Sequence, residues 1–285
     1  MKTRRIGTVD VSAIGLGGMP MSIEGRPDET RSVATVHAAL DAGVTLIDTA
    51  DAYHLHADEV GHNESLIAKA LASHDRGGEV LVATKGGHLR PGGGSWTLNG
   101  SPEYLSAACD ASLRRLGVEA IGLYQFHRPD PKVPYAESVG AIRDLLDAGK
   151  IQQAGISNAD PEMIRQANDI LGGRLVSVQN QFSPAFRSSE PELELCAELG
   201  IAFLPWSPFG GIARAGELGS KFAPFARVAE AHGVSAHQVC LAWLLAKSPT
   251  VIPIPGSSRP ATVRDSVEAA DLTLTAEELA ELDAA

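Results

Sequence analysis

Four side chains in the first half of the chain could do proton chemistry together: Asp48, Tyr53, Lys85 and His127. A free tyrosine has a pKa of about 10 and is a weak acid at neutral pH. A lysine ammonium beside it favours the phenolate and lowers that pKa. An aspartate paired with the lysine fixes its position and keeps it charged. A histidine beside the phenol can share the proton or hold a carbonyl oxygen. Such a set suits proton donation to an oxygen that becomes negative as a carbonyl is reduced. It supplies no hydride, so the chemistry requires a cofactor. Each residue alone has a plainer explanation: an Asp after a strand usually caps a helix, and a lone Tyr or His is usually packed. Lys85 alone would be a surface charge. The reading rests on all four falling at the same end of neighbouring elements.

Those elements are legible as eight short, mostly apolar runs at 13–19, 45–50, 80–85, 121–127, 153–158, 176–182, 201–206 and 251–255. Near-continuous apolarity over strand length fits strands buried on both faces. Helical patterns lie between them. Ser101-Pro102-Glu103 is an N-terminal signal, and Gly117, Gly149 and Gly200 are stops. Eight βα units predict a closed (β/α)8 barrel, with extra helices at 222–232, 236–246 and 275–283. An open doubly wound sheet is the alternative, but the first strand lacks a G-x-G-x-x-G turn into a helix. The Gly-rich stretch 86–100 reads as a long loop after the third strand. Active sites of such barrels lie at the C-terminal strand ends. Beyond the four residues, those ends carry Ser157-Asn158, Gln179, Trp206-Ser207 and Gly256-Ser257-Ser258-Arg259.

The length of 285 residues suits one barrel domain over 1–285, which typically needs about 250 residues. With 24 basic and 35 acidic residues the net charge is −11, a poor match for nucleic acid or an anionic membrane. Any anionic substrate must be drawn in by local positive charge. Cys109, Cys196 and Cys240 are odd in number and far apart, so buried thiols in a reducing, cytoplasmic compartment are expected. No secretory h-region and no membrane span is present. His54, His56 and His62, with Asp58 and Glu59, have no standard metal spacing, so no metal is expected.

The motifs resemble those of the aldo-keto reductases across nearly the whole chain. Asp48-Thr49-Ala50-Asp51-Ala52-Tyr53 resembles D-T-A-x-x-Y, and Asn63-Glu64 the N-E opening the next helix. Ala83-Thr84-Lys85 resembles the strand of the catalytic lysine. Residues 123–130 resemble L-Y-Q-x-H-x-P-D, Gly155-Ile156-Ser157-Asn158 resembles G-[IVL]-S-N, and Ile254-Pro255-Gly256 resembles I-P-G. The resemblance implies that Tyr53 is the general acid, Lys85 lowers its pKa, Asp48 orients Lys85, and His127 positions the carbonyl. It implies that Ser157, Asn158 and Gln179 bind the nicotinamide carboxamide and that Trp206 stacks on the ring. Ser207, Phe209 and Gly210 resemble a loop over the pyrophosphate. Gly256, Ser258 and Thr262 would meet the adenosine phosphate. Arg259, with Arg264 as second candidate, would meet a 2′-phosphate and so favour NADPH over NADH. Asp265 stands where an adenine contact is expected.

The sequence departs from the family in having His54 after the tyrosine and no long C-terminal tail. His54, Trp96, Phe126, Phe186 and Phe209 are the expected substrate wall. The implied partner is a small carbonyl compound: a pyridoxal-like, sugar or aromatic aldehyde. Two rivals stand beside this reading. One is a nucleotide-binding regulatory protein with little turnover, like the family's potassium-channel β-subunits. The other is a barrel enzyme using Lys85 as a Schiff base.

Overall fold

A computed structural model describes residues 1–285. The chain opens with an antiparallel hairpin, β1 (Thr3–Ile6) and β2 (Val9–Ser12), absent from the sequence-based expectation. The barrel then begins with β3 (Leu16–Gly17), α1 (Glu29–Asp41), β4 (Leu46–Asp48), α2 (His62–Ala72) and β5 (Leu81–Gly86). A second hairpin follows, β6 (His88–Gly92) and β7 (Ser95–Leu98), where an irregular loop was expected. Next come α3 (Pro102–Leu116), β8 (Leu123–Phe126), α4 (Tyr135–Asp147), β9 (Ala154–Ser157), α5 (Pro161–Ile170), β10 (Leu175–Gln179), α6 (Glu190–Leu199) and β11 (Ala202–Phe203). The chain ends with α7 (Leu218–Lys221), α8 (Ala223–His232), α9 (Ala236–Lys247), α10 (Pro260–Glu268) and α11 (Ala276–Asp283).

Local chemistry sets these boundaries. Asp28, Ser101, Asp160, Ser235 and Thr275 each accept a backbone N–H with the side chain and so start α1, α3, α5, α9 and α11. Gly117 ends α3 in the left-handed conformation, φ 69°, which a glycine adopts without steric penalty.

Seven strands form one parallel sheet in the order β11-β10-β9-β8-β5-β4-β3. Residues 251–256 close it into a (β/α)8 barrel, pairing Val251 with Phe203 on one side and Gly256 with Gly17 on the other. This eighth strand cannot form a full ladder because Pro253 and Pro255 lack N–H donors. Their carbonyls still accept from Gly15 and Gly17. The seam is tight: a Cβ on Gly17 would lie 2.8 Å from the Ile254 carbonyl oxygen.

The barrel interior packs Leu46, Leu81, Leu123, Leu204 and Ile252 against Ile6 and Val11 of the first hairpin. That hairpin plugs the end where the strands begin. A larger apolar layer lies between sheet and helices and contains Cys109, Cys196 and Cys240, all free and buried. No helix is long and apolar enough to cross a membrane.

Candidate active site

Asp48 ends β4 and Lys85 lies near the end of β5, so parallel pairing of these strands brings both to one end of the barrel. Lys85 is fully buried. Its Nζ donates to Asp48 Oδ2 at 2.6 Å, to the Thr49 carbonyl oxygen at 2.8 Å and to Tyr53 Oη at 3.1 Å. All three ammonium donors are thereby used. Because Tyr53 Oη accepts from Lys85, the phenolic proton is free to be given elsewhere. The second Asp48 oxygen accepts from Gln179 Nε2 at 2.8 Å and, more weakly, from Gln125 Nε2 at 3.5 Å. The His127 ring stands edge-on to Tyr53, with centroids 5.8 Å apart.

Burial and charge act against each other here. Burial pushes the Tyr53 phenol above its ordinary value, and this outweighs the downward pull of Lys85. The lowering expected from the sequence is therefore one component of a net rise, and Tyr53 is a neutral phenol at pH 7. Burial alone would lower the Lys85 pKa, but Asp48 and Tyr53 outweigh it and hold the ammonium charged. Burial, then Lys85, His88 and Arg128, drives His127 well below the usual histidine range, so its imidazole is neutral.

These groups open onto a cleft with a cavity volume of about 220 Å³. The cleft wall includes Asp48, Tyr53, His127, Ser157, Asn158, Gln179, Trp206, Ser207, Phe209 and Gly256, as well as Trp96. Gly210 lies beside it, with its neighbour Gly211 on the wall. Ser258, Arg259, Thr262 and Asp265 stand further out, around the start of α10. Arg259 is exposed. The Asp265 carboxylate is already taken up by Ser235 at 2.8 Å and Gln238 at 2.9 Å. It ties α10 to α9, and each of its oxygens keeps a further acceptor site.

Three expected wall residues face elsewhere. In β8, side chains alternate: Leu123 packs in the barrel and Gln125 and His127 reach the site, while Tyr124 and Phe126 point to the helices. Phe126 accordingly packs near Tyr135, with ring centroids 6.1 Å apart. The buried His54 ring turns to the His56 carbonyl oxygen at 2.7 Å. Phe186 belongs to a tight turn with Ser183, off the cleft wall and about a third exposed, at 37%. In their place the wall uses Met19, Pro20, His88 and Arg128. His88 sits between Trp96 and His127, at ring distances of 4.6 and 4.9 Å. Met19 and Pro20 follow β3 and Arg128 follows His127, so their place just past strand ends was the signal for these three, whereas His88 sits on a hairpin hidden in a glycine-rich stretch.

A nicotinamide dinucleotide fits several features of this wall. Asn158 and Ser207 hold left-handed backbone, φ 58° and 52°, an arrangement that costs on the order of 1–3 kcal/mol and concentrates at ligand sites. The Trp206 indole Nε1 is buried without an acceptor. Gln179 uses its amide N–H on Asp48, which leaves its carbonyl oxygen for a carboxamide. Ser157 Oγ donates to the Gln179 carbonyl oxygen at 2.6 Å and fixes this corner.

Residues 13–285 match the model of the aldo/keto reductase family. An uncharacterised oxidoreductase of Schizosaccharomyces pombe is 35% identical over 287 residues, covering 99% of this chain and 89% of that protein. The glycerol dehydrogenase of Gluconobacter oxydans superposes with a TM-score of 0.84 at 27% identity, over 99% of this chain and 94% of that one. An aldo/keto reductase of Klebsiella pneumoniae, solved with NADP and acetate, gives 0.82 at 27% identity over the same shares.

Proposed function

The chain belongs to the aldo/keto reductase family of oxidoreductases, and from that premise we propose that it is an NADPH-dependent reductase of aldehydes and ketones, able to run backwards as an alcohol dehydrogenase. Residues 1–285 act as one barrel domain in a reducing, cytoplasmic setting. Ser157, Asn158 and Gln179 hold the nicotinamide carboxamide, and Trp206 lies on its ring. Ser207, Phe209 and Gly210 cover the pyrophosphate. Gly256, Ser258, Arg259 and Thr262 take the adenosine phosphate at the start of α10. When bound, the dinucleotide supplies a hydride to the carbonyl carbon.

The chain's own residues do the rest. Tyr53 hydrogen-bonds the carbonyl oxygen and gives it the phenolic proton as negative charge develops. Lys85 stabilises the phenolate left behind, and Asp48 keeps Lys85 in place. The neutral His127 offers an N–H to the same oxygen and orients the carbonyl. The observation that carries this reading is the Lys85 ammonium, shared between Asp48 and a Tyr53 oxygen whose own proton is unused. A Schiff-base role for Lys85 is disfavoured, because it needs a neutral amine and this one is held charged.

The test is fluorescence titration with NADPH and NADH, then absorbance decay against a panel of aromatic, sugar and pyridoxal-like aldehydes. Tighter binding of NADPH with turnover supports the reductase. Binding without turnover of any aldehyde would instead describe a nucleotide-binding regulatory protein. No binding would sink the cofactor reading.

A further inference from the structure

Arg128 follows His127 at the end of β8 and lines the same cleft. It is half-buried, and one of its terminal nitrogens donates to Asn158 Oδ1 at 2.9 Å. Asn158 is neutral, and no carboxylate lies within ion-pairing distance of the guanidinium. Most other partly buried cations of the chain are matched: Arg26 with Glu59, Arg115 with Glu64, Arg90 with Glu24, Lys85 with Asp48. Burial lowers the Arg128 pKa and no acid offsets it. Asp48 is the only acid on the cleft wall, and Lys85 already neutralises it. The reaction end of the cleft thus keeps one uncompensated positive charge in a chain of net charge −11. Holding a guanidinium half out of water without a counter-ion is costly, and a bound anion relieves that cost.

We propose that Arg128 is a specificity-determining residue that selects carbonyl substrates bearing a carboxylate. This deepens the reductase reading and rests on it. The remaining guanidinium N–H groups form a planar fork suited to two carboxylate oxygens. Trp96 and His88 line the same cleft, with His88 stacked between Trp96 and His127, and offer flat faces to a planar carbon frame carrying both carboxylate and aldehyde. A neutral analogue would leave the guanidinium unpaired and bind more weakly.

The test uses benzoate and its neutral isostere benzamide. Binding of each to the full chain, with and without NADP+, is read by quenching of Trp96 and Trp206 fluorescence and checked by calorimetry. Wild type should bind benzoate at least tenfold more tightly than benzamide. Arg128→Met should abolish that preference, and Arg128→Lys should keep part of it. The ratio of kcat/KM for 4-formylbenzoate over 4-formylbenzamide should fall in parallel. Equal binding of the two probes by wild type overturns the proposal. So does a preference that survives in Arg128→Met, or a loss in that variant confined to NADP+ affinity. If no aldehyde is reduced, the reductase reading fails, and the benzoate titration still decides whether Arg128 receives a carboxylate.

Discussion

Among single residues, Tyr53 separates chemistry from folding most cleanly. Tyr53→Phe removes the transferable proton and one acceptor of Lys85, while Lys85 keeps Asp48 and the Thr49 carbonyl. Loss of a positioned general acid costs about 10²–10⁴-fold in rate, so kcat should fall by that factor with NADPH affinity unchanged. Turnover equal to wild type in stopped-assay kinetics would remove Tyr53 from its role. Lys85→Met is a poorer probe, because it strands the buried Asp48 and should destabilise by about 3–5 kcal/mol. Behind the site, Asp51 is fully buried; its Oδ2 accepts from Tyr104, and its Oδ1 has no partner. Burial, reinforced by Glu64, pushes its pKa up to about 7. An unfolded aspartate loses its proton near pH 4. Between those values the unfolded state binds fewer protons than the folded one, so this residue makes stability fall as pH rises and has no further effect above about 7. Asp51→Asn should remove that slope. Urea midpoints of variant and wild type should diverge from pH 4 to 7, the variant becoming the more stable. A constant difference across that range would show that Asp51 does not titrate there.

At the level of elements, the helix starts and strand cores were legible because caps and apolar runs are local signals. Ser101 and Asp160 sit where their sequence context puts them. The eighth strand was legible as an apolar run, but its sparse pairing follows from two prolines. Neither hairpin was read. The first has only a Gly7-Thr8 turn between short polar-flanked strands, and the second hides in a glycine-rich stretch. The convergence of Asp48, Tyr53, Lys85 and His127 could be anticipated from strand ends and motif order. Of the cleft wall, Trp96 and Phe209 could be anticipated, but the misplacing of the other three depends on strand phase for Phe126 and on loop packing for His54 and Phe186. The start of α10 carries the cofactor prediction. Arg259 is exposed at its N-cap position, where helix N–H groups and a guanidinium can both face a 2′-phosphate. Arg259→Ala should lower the NADPH-over-NADH binding ratio about tenfold, equivalent to roughly 1.4 kcal/mol. An unchanged ratio in parallel titrations would move that role to another cation.

The whole molecule separates stability from chemistry along the barrel axis. The reacting groups occupy the end where strands finish, and the first hairpin seals the end where they begin. Arg4 of that hairpin reaches the carbonyls of Leu245, Ser248 and Val251, so it also clamps the turn into the eighth strand. Ser12 and Thr45 exchange hydrogen bonds at the entry to the second strand. Ile6 is fully buried at the centre of this plug, against the leucines that start the strands. Truncating it to alanine removes apolar contact and leaves a cavity, at a cost of about 2–5 kcal/mol. For a chain of this size that should lower Tm by roughly 5–15 °C. The cleft contains no residue of β1 or β2, so KM for NADPH and for the aldehyde should stay within a factor of two in Ile6→Ala below its transition. Tyr53→Phe should show the reverse, normal Tm with lost turnover. If Ile6→Ala instead raised either KM severalfold while the protein remained folded, the two ends of the barrel would be coupled through the strands, and the plug would belong to the site as well as to the fold.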